Sequence, residues 1–197
     1  MTRNGLALCL TLALVGALAL GASVVRAQDS HDGVACTATS PPADDNGGGG
    51  NKGGTSGNDA ITGTAGHDAL DGQAGDDRLN GGDGNDDMCG DAGDDRLLGG
   101  LGDDRMTGGV GDDHLNGQSG ADHEFGDAGD DRLLGGAGDD VLSGGRGIDD
   151  LQGGAGDDRI NARDGQRDRI TCGAGDDTVH ADRTDRVGAS CEHVVRS

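Results

Sequence analysis

Between Gly54 and Asn161 a large aliphatic residue returns every nine positions: Ile61, Leu70, Leu79, Met88, Leu97, Met106, Leu115, Leu133, Leu142, Leu151 and Ile160. Glu124 takes that place once, in the eighth of twelve nonads. It is the eighth position of each unit, and the last three positions alternate as a short strand with one side chain turned inward. The other six positions read as a turn. Position one is glycine in every nonad, from Gly54 to Gly153, and so is position four, from Gly57 to Gly156. Glycine at this density excludes a helix and marks backbone that turns tightly or approaches a neighbour closely. A three-residue strand has no stability alone, but stacked coils bury a continuous aliphatic row. The pattern predicts an all-β solenoid of stacked parallel strands built from twelve nonapeptide repeats.

The sixth position identifies what such a stack folds around. It is aspartate in all twelve nonads: Asp59, Asp68, Asp77, Asp86, Asp95, Asp104, Asp113, Asp122, Asp131, Asp140, Asp149 and Asp158. Equivalent residues of a parallel stack lie about 4.8 Å apart. Two carboxylates at that spacing repel by roughly 3 kcal/mol at an effective dielectric near 20. A hard cation between them reverses the sign. The donors are carboxylate and carbonyl oxygens, with no regular histidine or cysteine, which favours calcium over zinc or copper. Magnesium is second choice, because it demands octahedral geometry and dehydrates reluctantly.

Units such as "GGVGDDHLN", "GGAGDDVLS" and "GGAGDDRIN" resemble the calcium-binding nonapeptide of repeats-in-toxin (RTX) proteins, G-G-x-G-x-D-x-U-x with U a large aliphatic. The resemblance implies that two nonads make one coil of a parallel β-roll, with calcium held between loops eighteen residues apart. The twelve sixth-position aspartates and loop carbonyls would supply the ligands. Twelve nonads would form two stacks of loops and hold about ten ions. Asp77 would face Asp59 and Asp95, and Asp86 would face Asp68 and Asp104. Only six repeats carry glycine at position two, a position that tolerates change.

The flanks read differently. Residues 1–27 have Arg3, an apolar run from Leu6 to Leu20 and small residues before Gln28, the features of a secretory signal peptide. Family members exported in one step usually lack such a leader, so the chain resembles the lone, signal-bearing RTX-repeat exoproteins. Cleavage would remove Arg3 and Arg26, shifting the net charge from −22 to −24. No second apolar run follows, so the product is expected to be secreted and extracellular, with no membrane span. Residues 28–53, with two prolines and a glycine run, read as a flexible linker. Residues 162–197 keep Asp-x-aliphatic units at Asp168–Ile170, Asp177–Val179 and Asp185–Val187, and read as degenerate repeats and a C-terminal cap. An exported chain meets oxidising conditions, so Cys172 and Cys191 are expected to pair, with Cys36 and Cys89 left over.

No enzyme is expected. "DHEFGD" at 122–127 lacks the second histidine of a zinc protease helix, no serine sits in a nucleophile elbow, and the glycine-rich stretches lack a phosphate loop's Lys-Ser/Thr. The negative charge argues against nucleic acid. At the outward seventh position Arg78, Arg96, His114 and Arg132 should form one row, each arginine paired with nearby fifth-position aspartates. Ala121 and inward-phase Glu124 mark the eighth nonad as the weak coil, with Phe125 expected to turn inward through a local bulge. The sequence thus favours a secreted calcium-binding structural protein that folds on calcium binding. The second reading is an extracellular module that recognises a polysaccharide or surface partner, with calcium purely structural.

Overall fold

The computed structural model describes residues 50–197. Residues 1–27, read as a signal peptide, and most of the linker lie outside that range. Seventeen strands follow one another: β1 (Asn51–Gly53), β2 (Ala60–Thr62), β3 (Ala69–Asp71), β4 (Arg78–Asp83), β5 (Asp87–Ala92), β6 (Arg96–Leu101), β7 (Arg105–Val110), β8 (His114–Ser119), β9 (His123–Ala128), β10 (Arg132–Ala137), β11 (Val141–Arg146), β12 (Asp150–Ala155), β13 (Arg159–Ala162), β14 (Arg169–Ala174), β15 (Thr178–Ala181), β16 (Arg186–Val187) and β17 (His193–Arg196). The odd-numbered strands form one sheet of nine and the even-numbered strands another of eight. Every pairing is parallel and links strands two apart in sequence, as in Leu79 opposite Leu97 and Met88 opposite Met106. Two nonads therefore make one coil, and the molecule is a parallel β-solenoid of about eight turns.

The core is the predicted row. Leu70, Leu79, Met88, Leu97, Met106, Leu115, Leu133, Leu142, Leu151 and Ile160 are buried between the sheets, and Ile170 and Val179 extend the row into the cap. Only Ile61, in the outermost coil, is partly exposed.

Three features differ from the expected pattern. First, β4 to β12 are six residues long and run through positions seven to nine and on through one to three, leaving only positions four to six as the turn. The first three positions pair across coils, as Gly82 does with Gly100, so glycine there serves close strand stacking as well as turning. Position two is left-handed in ten of the twelve nonads. It is filled by glycine or by Gln73, Asp91, Gln118 and Asp127 at φ near 74°. Second, Asn51–Gly53 at the end of the linker pairs as β1 with β3. Third, the eighth nonad does not bulge. Glu124 stays inward and fully buried, Phe125 stays outward, and β9 keeps register with β11. A bulge would have broken ladders on both sides of β9, whereas the Glu124 carboxyl finds a donor inside. Its Oε1 accepts the Gly117 N–H at 2.7 Å, and Phe125 packs outside under the Arg105 guanidinium, 5.2 Å from the ring centroid.

That inward carboxyl is costly. Burial pushes Glu124 up to about 8, and Oε2 has no hydrogen-bond partner. The penalty is absent below the ordinary value near 4.5 and grows as pH rises towards 8. Glu124→Gln keeps an acceptor for Gly117 and removes the charge. It should stabilise the calcium-loaded protein by on the order of 2 kcal/mol at pH 7, and by less at pH 5.5, nearer the ordinary value. Denaturant unfolding at both pH values checks this, and an unstabilised variant at pH 7 rules it out.

The cap continues both sheets with irregular coils. Pairing offsets shift from eighteen residues to nineteen at Arg159 and Thr178, then to fifteen at Thr178 and His193. The Cys172–Cys191 disulfide forms as expected, with the Cα atoms 5.1 Å apart. It ties the last turn to β14. Cys36 lies outside the described residues.

Candidate metal centre: two columns of carboxylates

The sixth-position aspartate ends each turn, where the chain re-enters a strand beside the core. All but Asp59, in the first coil, are buried. Each points back one coil: Asp77 Oδ1 accepts the Asp59 N–H at 2.7 Å, Asp95 that of Asp77 at 2.7 Å, and Asp113 that of Asp95 at 2.8 Å. The second column repeats this through Asp68, Asp86, Asp104, Asp122, Asp140 and Asp158. Asp131 and Asp149 complete the first. The structure thus brings all twelve aspartates into two files of six, with Asp77 between Asp59 and Asp95 and Asp86 between Asp68 and Asp104.

The other carboxylate oxygen is unsatisfied. In the ten aspartates from Asp77 to Asp158, Oδ2 is buried without a hydrogen-bond partner. A buried charged oxygen left so is expensive. The first coil differs because threonine stands at position two. Asp59 Oδ2 accepts Thr55 N–H and Oγ1–H at 2.6 and 2.8 Å, and Asp68 Oδ2 accepts from Thr64 at 2.6 and 2.9 Å.

The orphaned oxygens face a common point. A methyl group on first-position Gly99 would lie within 3.0 Å of Asp104 Oδ2 and of the Gly117 carbonyl. Gly81 and Gly135 show the same arrangement with Asp86 and Gly99, and with Asp140 and Gly153. The two oxygens nearest each of these points, one carboxylate and one carbonyl, are both acceptors, which suits a cation. Among the described residues no three acidic, histidine or cysteine side chains converge as a metal cluster. An ion here must draw on backbone carbonyls, the ligand habit of calcium rather than zinc.

Burial raises these aspartates, with neighbouring carboxylates adding to it and the backbone N–H bonds opposing it. Asp113 reaches about 8, Asp104 and Asp131 about 7, and Asp95 and Asp149 about 6. Their charged forms disfavour the metal-free fold. The cost is absent below the ordinary carboxylate value near 4, grows as pH rises above it and levels off once pH passes the raised values of about 6 to 8. Calcium-free protein should therefore show more β-sheet circular dichroism at pH 5 than at pH 8.5. Equal spectra at the two values rule this out.

One part of the site escaped the sequence pattern, and another runs one acidic residue further, to Glu192, than the Asp-x-aliphatic units of the cap suggest. Fifth-position side chains form their own ladder, pointing the opposite way. Asp76 Oδ1 accepts the Asp94 N–H at 3.2 Å, Asp94 that of Asp112 at 3.0 Å and Asp112 that of Asp130 at 2.9 Å. The expected arginine pairing with these aspartates does not form. Arginine ion pairs among the described residues join Arg132 and Arg169 to seventh-position Asp150, each at 3.9 Å. The main-chain donor lies nearer than any guanidinium and needs no ordering of a long side chain. The files also run on through the cap. Asp168, Asp177 and Asp185 accept from Asp149, Asp158 and Asp168, and Glu192 accepts from Asp177 at 3.2 Å. Glu192–His193–Val194 keeps the acid-x-aliphatic spacing that could have revealed it. At the first position, however, the cap has Ala162, Cys172 and Ala181, whose side chains take the glycine's place.

A family model for four copies of the RTX calcium-binding nonapeptide repeat matches residues 53–88, 90–124, 125–151, 143–179 and 164–185. These stretches cover most of the chain and coincide with the solenoid. The protein belongs to the RTX calcium-binding repeat family. Among curated proteins none matches the chain.

Proposed function

We propose that this is a secreted structural module that takes up calcium between successive coils and folds as it does so. The observation that carries the reading is the file of orphaned Oδ2 atoms from Asp77 to Asp158, seven of which share their first-position glycine with a carbonyl of the next coil. The sixth-position aspartates, Asp59 through Asp158, would hold the ions together with those carbonyls. About ten ions fill the gaps of two six-loop columns. Bound calcium supplies the positive charge that lets neighbouring carboxylates stay ionised inside. Loops of this kind suit the 10⁻⁴–10⁻³ M calcium found outside cells. The chain would stay unfolded in a low-calcium cytosol and fold after export. The signal-peptide features of residues 1–27 support that route.

Calcium stoichiometry tests the assignment. Isothermal titration of the chelator-treated protein should give about ten sites. Asp113→Ala, in the middle of a column, should lose the ions on both sides of its loop. Undiminished uptake by this variant would remove the sixth-position aspartates as ligands.

A further inference from the structure

The outer face of the even-numbered sheet carries a charge pattern that calcium uptake does not use. The register stacks Arg78 on Arg96, Arg96 on His114 and His114 on Arg132. The three arginines are exposed and His114 is half-buried. Among the described residues, Arg78 and Arg96 form no ion pair. Arg132 reaches only Asp150, which ends the row by taking Arg132 and Arg169 at 3.9 Å each. The odd-numbered sheet interrupts the same column with Asp87 and Val141.

Arg78 and Arg96 are like charges stacked directly across the sheet, which is destabilising, so folding alone does not select that pair. Beside it runs the ninth-position column, in which Asn80, Leu98, Asn116 and Leu134 alternate in register. On the other side stand exposed Asp76, Asp94, Asp112 and Asp130. Their Oδ1 atoms are engaged by backbone N–H groups of the next coil.

This surface matches an extended polymer with regularly spaced carboxylates, hydroxyls for the amides and sugar-ring faces for the leucines. Nucleic acid fits less well. The strip is one side chain wide, and the only aromatic residue, Phe125, lies on the other sheet, so no base can stack here.

We propose that this face binds an acidic polysaccharide of the polyuronate class along the solenoid axis, Arg78, Arg96 and Arg132 pairing with its carboxylates. The proposal deepens the extracellular-module reading and rests on the calcium-loaded fold. Ions in the loops offset the sixth-position carboxylates that would otherwise repel the polymer.

The test titrates a short oligogalacturonate into the full protein in millimolar calcium at low salt. Circular dichroism and calcium stoichiometry are recorded for every variant. Wild type should bind, and R78Q/R96Q/R132Q should bind at least about tenfold more weakly with unchanged calcium uptake. R105Q/R159Q, on the opposite face, should bind as wild type does. If the triple variant loses its fold, His114→Asp replaces it, since it plants a carboxylate mid-strip as Asp150 does at the end; its weakened binding supports the proposal. Equal binding by folded strip variants overturns the proposal, as does equally tight binding of a single-stranded oligonucleotide of matched charge. No binding by a wild type that takes up calcium overturns the strip and leaves the calcium reading standing. A wild type that neither takes up calcium nor binds overturns both.

Discussion

In excess chelator the chain is expected to lose most of its β-sheet circular dichroism and to regain it cooperatively at millimolar calcium. The structure shows why the effect should be large. Each nonad contributes one inward aliphatic, so the core is a single row between two sheets. Against it stand the buried, partnerless Oδ2 atoms of the ten sixth-position aspartates from Asp77 to Asp158 and of Asp168 and Asp177 in the cap, with Glu124 Oε2 beside them. At pH 7 and above the metal-free fold must either protonate these groups or hold them charged at about 4.8 Å spacing. Both are unfavourable, whereas the unfolded chain ionises them freely in water. Calcium coordinated by the orphaned oxygens, as proposed, would remove the choice, and its binding free energy would become folding free energy. Magnesium at equal concentration should do much less, because the cradle offers irregular carbonyl and carboxylate oxygens rather than an octahedron. A β spectrum unchanged in chelator would falsify the claim.

Gly99→Ala should cost about 1–3 kcal/mol of stability and at least one ion. The new Cβ would fall within 3.0 Å of Asp104 Oδ2 and the Gly117 carbonyl, in the cradle itself. Neither neighbour can retreat cheaply: Asp104 also bonds the Asp86 N–H at 2.8 Å, and Gly117 belongs to β8. Gly57→Ala changes an equally invariant glycine in the same motif, yet a Cβ there meets nothing within 4 Å. It should shift stability by no more than about 0.5 kcal/mol. Calcium titration and denaturant unfolding of both variants give the comparison. Equal losses would mean that motif membership, and not the oxygen cradle, sets the requirement for glycine.

The solenoid and its ligand class were legible in the chain because the repeat has no insertion or deletion over twelve units. With a strict period, whatever faces inward once faces inward every time, so the aliphatic row and the sixth-position files follow from counting. Calcium followed from the chemistry of oxygen-only donors. Other features depend on atoms that meet only after coils stack. The glycines at position one look like turn residues along the chain. In space they leave room for a carboxylate oxygen of their own loop and a carbonyl of the next coil. The opposite pointing of fifth- and sixth-position aspartates is likewise a choice between the coil before and the coil after. Glu124 shows the limit most plainly. Its polarity argued for a bulge, but the two ladders flanking β9 and the Gly117 N–H hold it inside. Periodicity, being local, determined the fold and the two files of aspartates. The partner of each oxygen was decided by the stack, because hydrogen-bond geometry between coils depends on the next eighteen residues as well as the present nine.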